Sequence, residues 1–400
     1  MFLELLIAIL IGCFFGIITG LTPGIHINLV AVLALSASPF LLQFISPLSI
    51  AVFIIAMSIT HTFLDALPSI FLGAPDEDQA LSVLPGHRLL NQGRGYEAVM
   101  LTAIGSLFAT IITLALVPIL MPLVRVGYPL IKDFVPYLLV VASITLIYKE
   151  HNSKFWALLM FLLSGVLGIA VLNFPSLKQP LLPLLSGLFG TSILFVSLFE
   201  KTKVPPQKIT KPKIEPKEAV KVLSSGLVAS SLCGFLPGLG SAQAAIIATS
   251  PFKKTTPESF LILIGAINTI VMIISFIAIY TIDKARSGSV VIISKIMGTL
   301  TFTDFIIFLI ATLISAFIAF YLTKWISLVF SKIITKINYQ RLIIGIMIFI
   351  VIIVIFLSGP LGFLILLVST ALGIIPSLVG IGKNHMMGCL ILPVILFFLL

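Results

Sequence analysis

The chain has 400 residues, 59% of them hydrophobic and only 10% charged. Nearly every stretch between charges reaches the ~20 apolar residues that cross a bilayer, which excludes a water-soluble globular domain. The net charge of +10 would suit nucleic acid. The basic residues lie in the loops between apolar runs, however, so no nucleic acid partner is expected and they report membrane topology instead.

The start, Met1-Phe2-Leu3-Glu4, lacks a basic region, so residues 1–20 read as a retained membrane segment. The apolar segment 1–38 is cut by Gly20-Leu21-Thr22-Pro23-Gly24. Pro removes a backbone donor and Gly frees the dihedrals, so helical hydrogen bonding fails there. At about 1.5 Å per residue the segment is too long for one crossing. It reads as a hairpin that pivots at Pro23-Gly24 and returns to its starting side. Spans are then predicted at 47–72, 96–122, 130–148, 155–172 and 180–199. Glu200 to Lys221 holds seven lysines and four prolines, an exposed and semi-rigid linker that the positive-inside rule places in the cytoplasm. A second broken segment, 219–252, carries Gly234-Phe235-Leu236-Pro237-Gly238. Spans follow at 258–282, 303–323, 342–357, 360–378 and 385–400, and 287–300 reads as a short interfacial helix. Cys13, Cys233 and Cys389 are far apart with no Cys-x-x-Cys, so no disulfide framework or metal knuckle is indicated.

The two broken segments match in detail. Gly12 precedes Gly20 by eight residues, as Gly226 precedes Gly234, and both copies run on to Ser-Pro-Phe at Ser38–Phe40 and Ser250–Phe252. The organisation expected is a first membrane repeat, 1–199, a basic linker, 200–221, and a second membrane repeat, 222–400. Each repeat is a Pro-Gly-broken helical hairpin plus about five transmembrane helices. Five is odd, so the two hairpins approach from opposite sides. The fold class expected is an all-α polytopic membrane protein of two inverted-topology repeats, with paired helix breaks marking the binding site. With the linker inside, 18 of the 24 Lys and Arg residues fall on the cytoplasmic side.

A helix that starts after Pro-Gly aims unpaired N–H groups and its positive dipole end at the break, which suits an anion. The substrate-binding candidates are therefore Thr22, Pro23, Gly24, His26 and Asn28 in the first copy. In the second they are Pro237, Gly238, Gly240, Ser241 and Gln243. Asp65 sits inside an apolar run, with His61 one helical turn before it. An intramembrane acid is costly and marks function or a neutralised pair. His61, Asp65 and Asn268 are the ion-coupling candidates; a structural His–Asp pair is the alternative. The cluster Asp76-Glu77-Asp78 with His87 and Arg88 reads as a solvated loop, a gate or a cation site. Lys383-Asn384-His385 reads as a cytoplasmic turn. No hydrolase, zinc-protease or Walker signature appears, so no enzyme activity and no cofactor beyond a coupling Na⁺ or H⁺ is expected.

These residues resemble the large membrane subunit, of TctA type, of the tripartite tricarboxylate transporters, in its shorter archaeal form. The likeness rests on Gly16–Asn28, on Gly234–Gln243, and on Pro68-Ser69-Ile70 through Gly86-His87-Arg88-Leu89-Leu90-Asn91-Gln92-Gly93. Where that family carries Asn-Thr-Pro-Gly-Thr-Pro, this chain has Gly73-Ala74-Pro75-Asp76-Glu77-Asp78. The resemblance implies carboxylate import driven by a cation gradient. It also implies two partners, a small membrane subunit and an extracytoplasmic binding protein. The expected function is cation-coupled transport of a small organic anion by alternating access, in contact with membrane lipid and with room for a homodimer face. The alternatives are a translocase for a lipid-linked phosphate such as an isoprenyl phosphate, and a Mg²⁺-dependent membrane enzyme.

Overall fold

The computed structural model describes residues 2–22, 27–73, 77–131, 134–175, 177, 179–199, 205–212, 214–234, 241–252, 255–284, 287–334 and 339–399. All regular structure among them is helical. The first half runs α1 (Phe2–Leu21), α2 (Ile27–Leu41), α3 (Pro47–Leu64), α4 (Val83–Leu90), α5 (Gly95–Ala115) and α6 (Val117–Ile131). It continues through α7 (Val135–Tyr148), α8 (Lys154–Leu172), α9 (Leu181–Leu185) and α10 (Ser192–Phe199). The second half holds α11 (Pro216–Gly234), α12 (Ser241–Thr249), α13 (Pro257–Ile282) and α14 (Gly288–Met297). It ends with α15 (Phe302–Ile334), α16 (Tyr339–Val379) and α17 (Gly388–Leu399). Seven described helical segments are long and apolar enough to cross a membrane, and the protein is a multi-pass membrane protein.

Helices stop where the Gly-x-x-Pro-Gly motifs begin and resume just beyond them, α1 to α2 and α11 to α12. The glycines upstream of each motif are packing surfaces. On α1, Gly12 faces Phe53, Ala56 and Met57, Gly16 faces Met57 and Thr60, and Gly20 faces Leu64. Positions on α1 and α3 advance together, so the two helices run in the same direction. Glu4 Oε1, near the start of α1, accepts from Ser46 N at 2.9 Å and Ser49 Oγ at 2.8 Å at the start of α3. The α2 arm therefore returns the chain to its starting side, as a hairpin must. In the second half Gly226 faces Leu263 and Ile267, and Gly234 faces Ile274, so α11 also runs in the same direction as the helix after its hairpin, α13. A side chain at Gly12, Gly16, Gly20 or Gly234 would push the helices apart.

The centre of the bundle is α3, α5 and α13. Gly105 of α5 lies against Ile262, and Gly265 of α13 against Thr102. Ser106 Oγ donates to the Gly265 carbonyl at 2.8 Å. Lipid tails are as apolar as Leu, so close backbone approach and interhelical hydrogen bonds hold such a crossing together. Cys13 and Cys233 are buried packing residues.

Some predicted boundaries shift. The single span expected at 96–122 is two helices, because Pro118 has no N–H to continue α5 and instead sits in the first turn of α6. Helix α15 continues past residue 323 to Ile334, since nothing from Phe302 on is Gly or Pro. The predicted pair 342–357 and 360–378 is the two arms of α16, separated at Gly359 with φ 71° and ψ −170°. Ile343 clusters with Leu194 of α10, while Ser377 shares a cavity wall with Ile193 and Val196 of the same helix. Both ends of α16 therefore lie beside α10, and the chain reverses at Gly359. Gly supplies the positive φ, and Pro360 starts the second arm at a position where its missing N–H is harmless.

The loops assigned to the cytoplasm from their lysines and arginines join on one face, called here the linker face. Lys208 N donates to Gly93 O at 2.7 Å, Gly95 N to Gln207 Oε1 at 2.8 Å, and Gln207 Nε2 to Leu90 O at 3.0 Å. Arg94 bridges Glu97 at 2.9 Å and Glu258 at 2.8 Å. The linker is thus tied to the first half, and Arg94 ties that half to the second.

Candidate functional site: a buried carboxylate between two hairpins

Asp65 closes α3 as its C-cap, its N–H donating to the His61 carbonyl. Its carboxylate is only 2% exposed. Asn268 Nδ2 of α13 donates to Asp65 Oδ2 at 2.6 Å, and Gln79 Nε2 donates to Oδ1 at 3.0 Å. His61 Nε2 lies 4.0 Å from Oδ2. One turn away, the Thr62 and Thr269 hydroxyls meet at 3.2 Å. Asn268 is eleven residues into α13, roughly 16 Å at 1.5 Å per residue, which puts the group near the middle of a ~30 Å hydrocarbon core.

The local backbone explains how this acid is presented. After Asp65 the helix continues into a π turn, Pro68–Leu72, where Pro68 cannot donate to the preceding turn. Ser69 Oγ donates to the Asp65 carbonyl at 3.2 Å instead. Gly73 then ends the turn in the left-handed region, φ 64°, its N–H donating to Pro68 O. The chain turns back into a 3₁₀ turn, Glu77–Ser82, which brings Gln79 to Asp65.

Both hairpins border this group. Gly20, beside the first break, packs against Leu64 and the backbone of Asp65. Helix α12, the return arm of the second hairpin, packs on the 3₁₀ turn that carries Gln79, with Ser241 and Gln243 buried at its start. Of the sequence candidates, His61, Asp65 and Asn268 are brought together directly. Thr22 is half-buried beyond the end of α1, its N–H donating to Ile18 O at 3.1 Å. Pro23, Gly24, His26, Pro237, Gly238, Gly240 and Asp76 lie outside the described residues, as do the side chains of Asn28, Glu77 and Asp78. Gln79, which follows the acidic cluster Asp76-Glu77-Asp78, was not among the sequence candidates. Its signal was an uncharged amide beside three acids.

His87 and Arg88 line a cavity of about 630 Å³ on the linker face, with Asn91, Thr255, Thr256 and Ser377. Arg88 is exposed, whereas His87 is 6% exposed. Burial, and then the charge of Lys383, push the His87 imidazole down to about 4, so it is neutral at physiological pH. The turn predicted at Lys383-Asn384-His385 is a 3₁₀ turn, Lys383–Met387, and it is buried. Lys383 is 3% exposed and His385 1%, because the turn is held down by Glu150. Glu150 Oε2 receives His385 Nε2 at 2.9 Å and Gly382 N at 3.1 Å. Burial alone would raise the Glu150 carboxyl, but these hydrogen bonds and one from Asn152 N keep it below its ordinary value. Nearby, Lys149 Nζ donates to the Ser250 and Phe252 carbonyls beyond the end of α12, where a cation suits the helix dipole.

Comparison with known proteins fits this architecture. The chain is 32% identical over 410 residues to an uncharacterized protein of Methanocaldococcus jannaschii, covering 98% of this chain and 99% of the relative. No solved structure matches it. The Tripartite tricarboxylate transporter TctA family matches residues 6–388. The chain belongs to that transporter family, as the two Pro-Gly segments suggested.

Proposed function

We propose that the protein is the membrane permease of a secondary transporter for a small organic anion, a di- or tricarboxylate, driven by Na⁺ or H⁺. The observation that carries this reading is Asp65. It is an acid near the middle of the membrane, bordered by both broken hairpins and bonded to one residue from each half of the chain. An intramembrane carboxylate with hydroxyl and amide neighbours can take a proton or help ligate Na⁺. The hairpin breaks, with Ser241 and Gln243 beside them, frame the anion. Alternating access would move the halves, as inverted repeats 1–199 and 222–400, about this fixed centre. The family's tripartite organisation adds two proposed partners, a small membrane subunit and an extracytoplasmic binding protein that delivers the anion. The test is accumulation of labelled citrate in proteoliposomes under an imposed Na⁺ or pH gradient, with exchange of preloaded citrate measured in parallel. Accumulation under one gradient supports the reading; neither accumulation nor exchange, with folded protein in the vesicles, refutes it.

A further inference from the structure

A second buried charge lies away from Asp65 and is far less well provided for. Lys383 is 3% exposed, and its ammonium has three N–H groups. One donates to Ser192 Oγ at 2.8 Å. No carboxylate among the described residues pairs with it. Glu150, the acid of the same turn, is occupied by His385 and by the N–H groups of Gly382, His151 and Asn152. A buried ammonium without a counter-charge is strongly unfavourable, and an anion brought beside it would relieve that cost.

The groups around Lys383 indicate what fills the deficit. His87, close enough to feel the Lys383 charge, is buried with no hydrogen-bond partner on Nε2. That nitrogen lies against Gly73, where a Cβ would press on the imidazole and on Leu194. Gly373 similarly packs closely against Ser192 Oγ and the Leu188 carbonyl. His87 also forms part of the wall of the 630 Å³ cavity on the linker face, together with the exposed Arg88 and with Ile193, the neighbour of Ser192.

We propose that Lys383, Ser192 and His87 form an anion site that takes one carboxylate group of the transported acid, at the linker-face end of its path. The proposal rests on the organic-anion reading above and adds the residue that answers the anion's charge. A carboxylate has two oxygens and about four lone-pair positions. These match the two remaining Lys383 N–H groups and an Nε2–H tautomer of His87. Arg88 would draw the anion into the cavity, while Lys383 and His87 would hold it.

The experiment uses the full chain purified in detergent. Citrate and inorganic phosphate are titrated at constant ionic strength, with chloride as control, and binding is read from the thermal shift. Modification of Lys383 by an amine reagent is followed by mass spectrometry in the same samples. The expected result is that citrate raises the melting temperature and protects Lys383 from modification. Lys383→Met should weaken citrate binding at least tenfold, and Lys383→Arg should restore part of it. The protection assay needs only the wild-type chain, so it decides the matter even if a variant misfolds. Citrate binding that is unchanged in Lys383→Met, or that leaves Lys383 modification unaffected, overturns the site and leaves the transport reading standing. Binding of phosphate but not citrate, lost in Lys383→Met, keeps an oxyanion site here but removes its carboxylate assignment and counts against the carboxylate reading. Silence from both anions overturns the proposal.

Discussion

Asp65 and Lys383, both buried among the described residues, are treated in opposite ways. Asp65 receives amide donors from Gln79 and Asn268, on separate elements, and has His61 a turn away. Lys383 has one hydroxyl, from Ser192. On the proposed reading, the difference separates a charge that the fold has solvated itself from one that a ligand would solvate. A pre-solvated carboxylate can gain and lose a small cation with little rearrangement, which is what coupling requires. An under-solvated ammonium gains most when an anion arrives, which is what recognition requires.

That contrast predicts stability changes of opposite sign. The largest should come from Asp65→Ala, which leaves two amide donors buried without an acceptor and should destabilise by roughly 3 kcal/mol. A melting curve in detergent checks it, and an unchanged midpoint would mean the amides find other partners. Next is the frame that holds the two halves together: Gly265→Ala places a Cβ on the Thr102 carbonyl and should lose about 2 kcal/mol in the same assay. Lys383→Met should be neutral or raise stability by about 1 kcal/mol in the absence of anion, because it removes an uncompensated charge. A marked loss would show that Lys383 already has a counter-charge and would break the comparison.

The smallest effect concerns the clamp that buries Lys383. The Glu150 carboxyl has a folded pKa below its ordinary 4.5. Its contribution is complete above that ordinary value and is lost as pH falls through the lower folded one. Glu150→Gln should therefore lower stability by about 1 kcal/mol or less at neutral pH, read from melting curves, with the gap to wild type closing as the pH is taken well below 4.5.

The hairpins and the intramembrane acid were legible in the sequence because each breaks a local rule. Pro-Gly within an apolar run cannot stay helical, and Asp65 within one cannot be left without partners. The reversal at Gly359 falls where the predicted spans 342–357 and 360–378 part. Pro118 was equally visible but lay inside a long apolar run, and hydropathy outweighed it. Gln79 and Lys383 were not legible as buried groups. A polar residue in a loop looks solvated until tertiary packing covers it. What covers these two is a π turn followed by a 3₁₀ turn in one case and the Glu150 clamp in the other, both of which depend on long-range contacts.

The most direct test of the account replaces Asp65 by Asn, which keeps the size and most of the hydrogen bonding but removes the charge. Wild type and variant are reconstituted, and labelled citrate is followed under an inward Na⁺ or pH gradient and in exchange without one. The account predicts that Asp65→Asn loses gradient-driven accumulation by at least a hundredfold while still exchanging citrate. Accumulation by the variant at the wild-type rate would contradict it and remove Asp65 from the coupling.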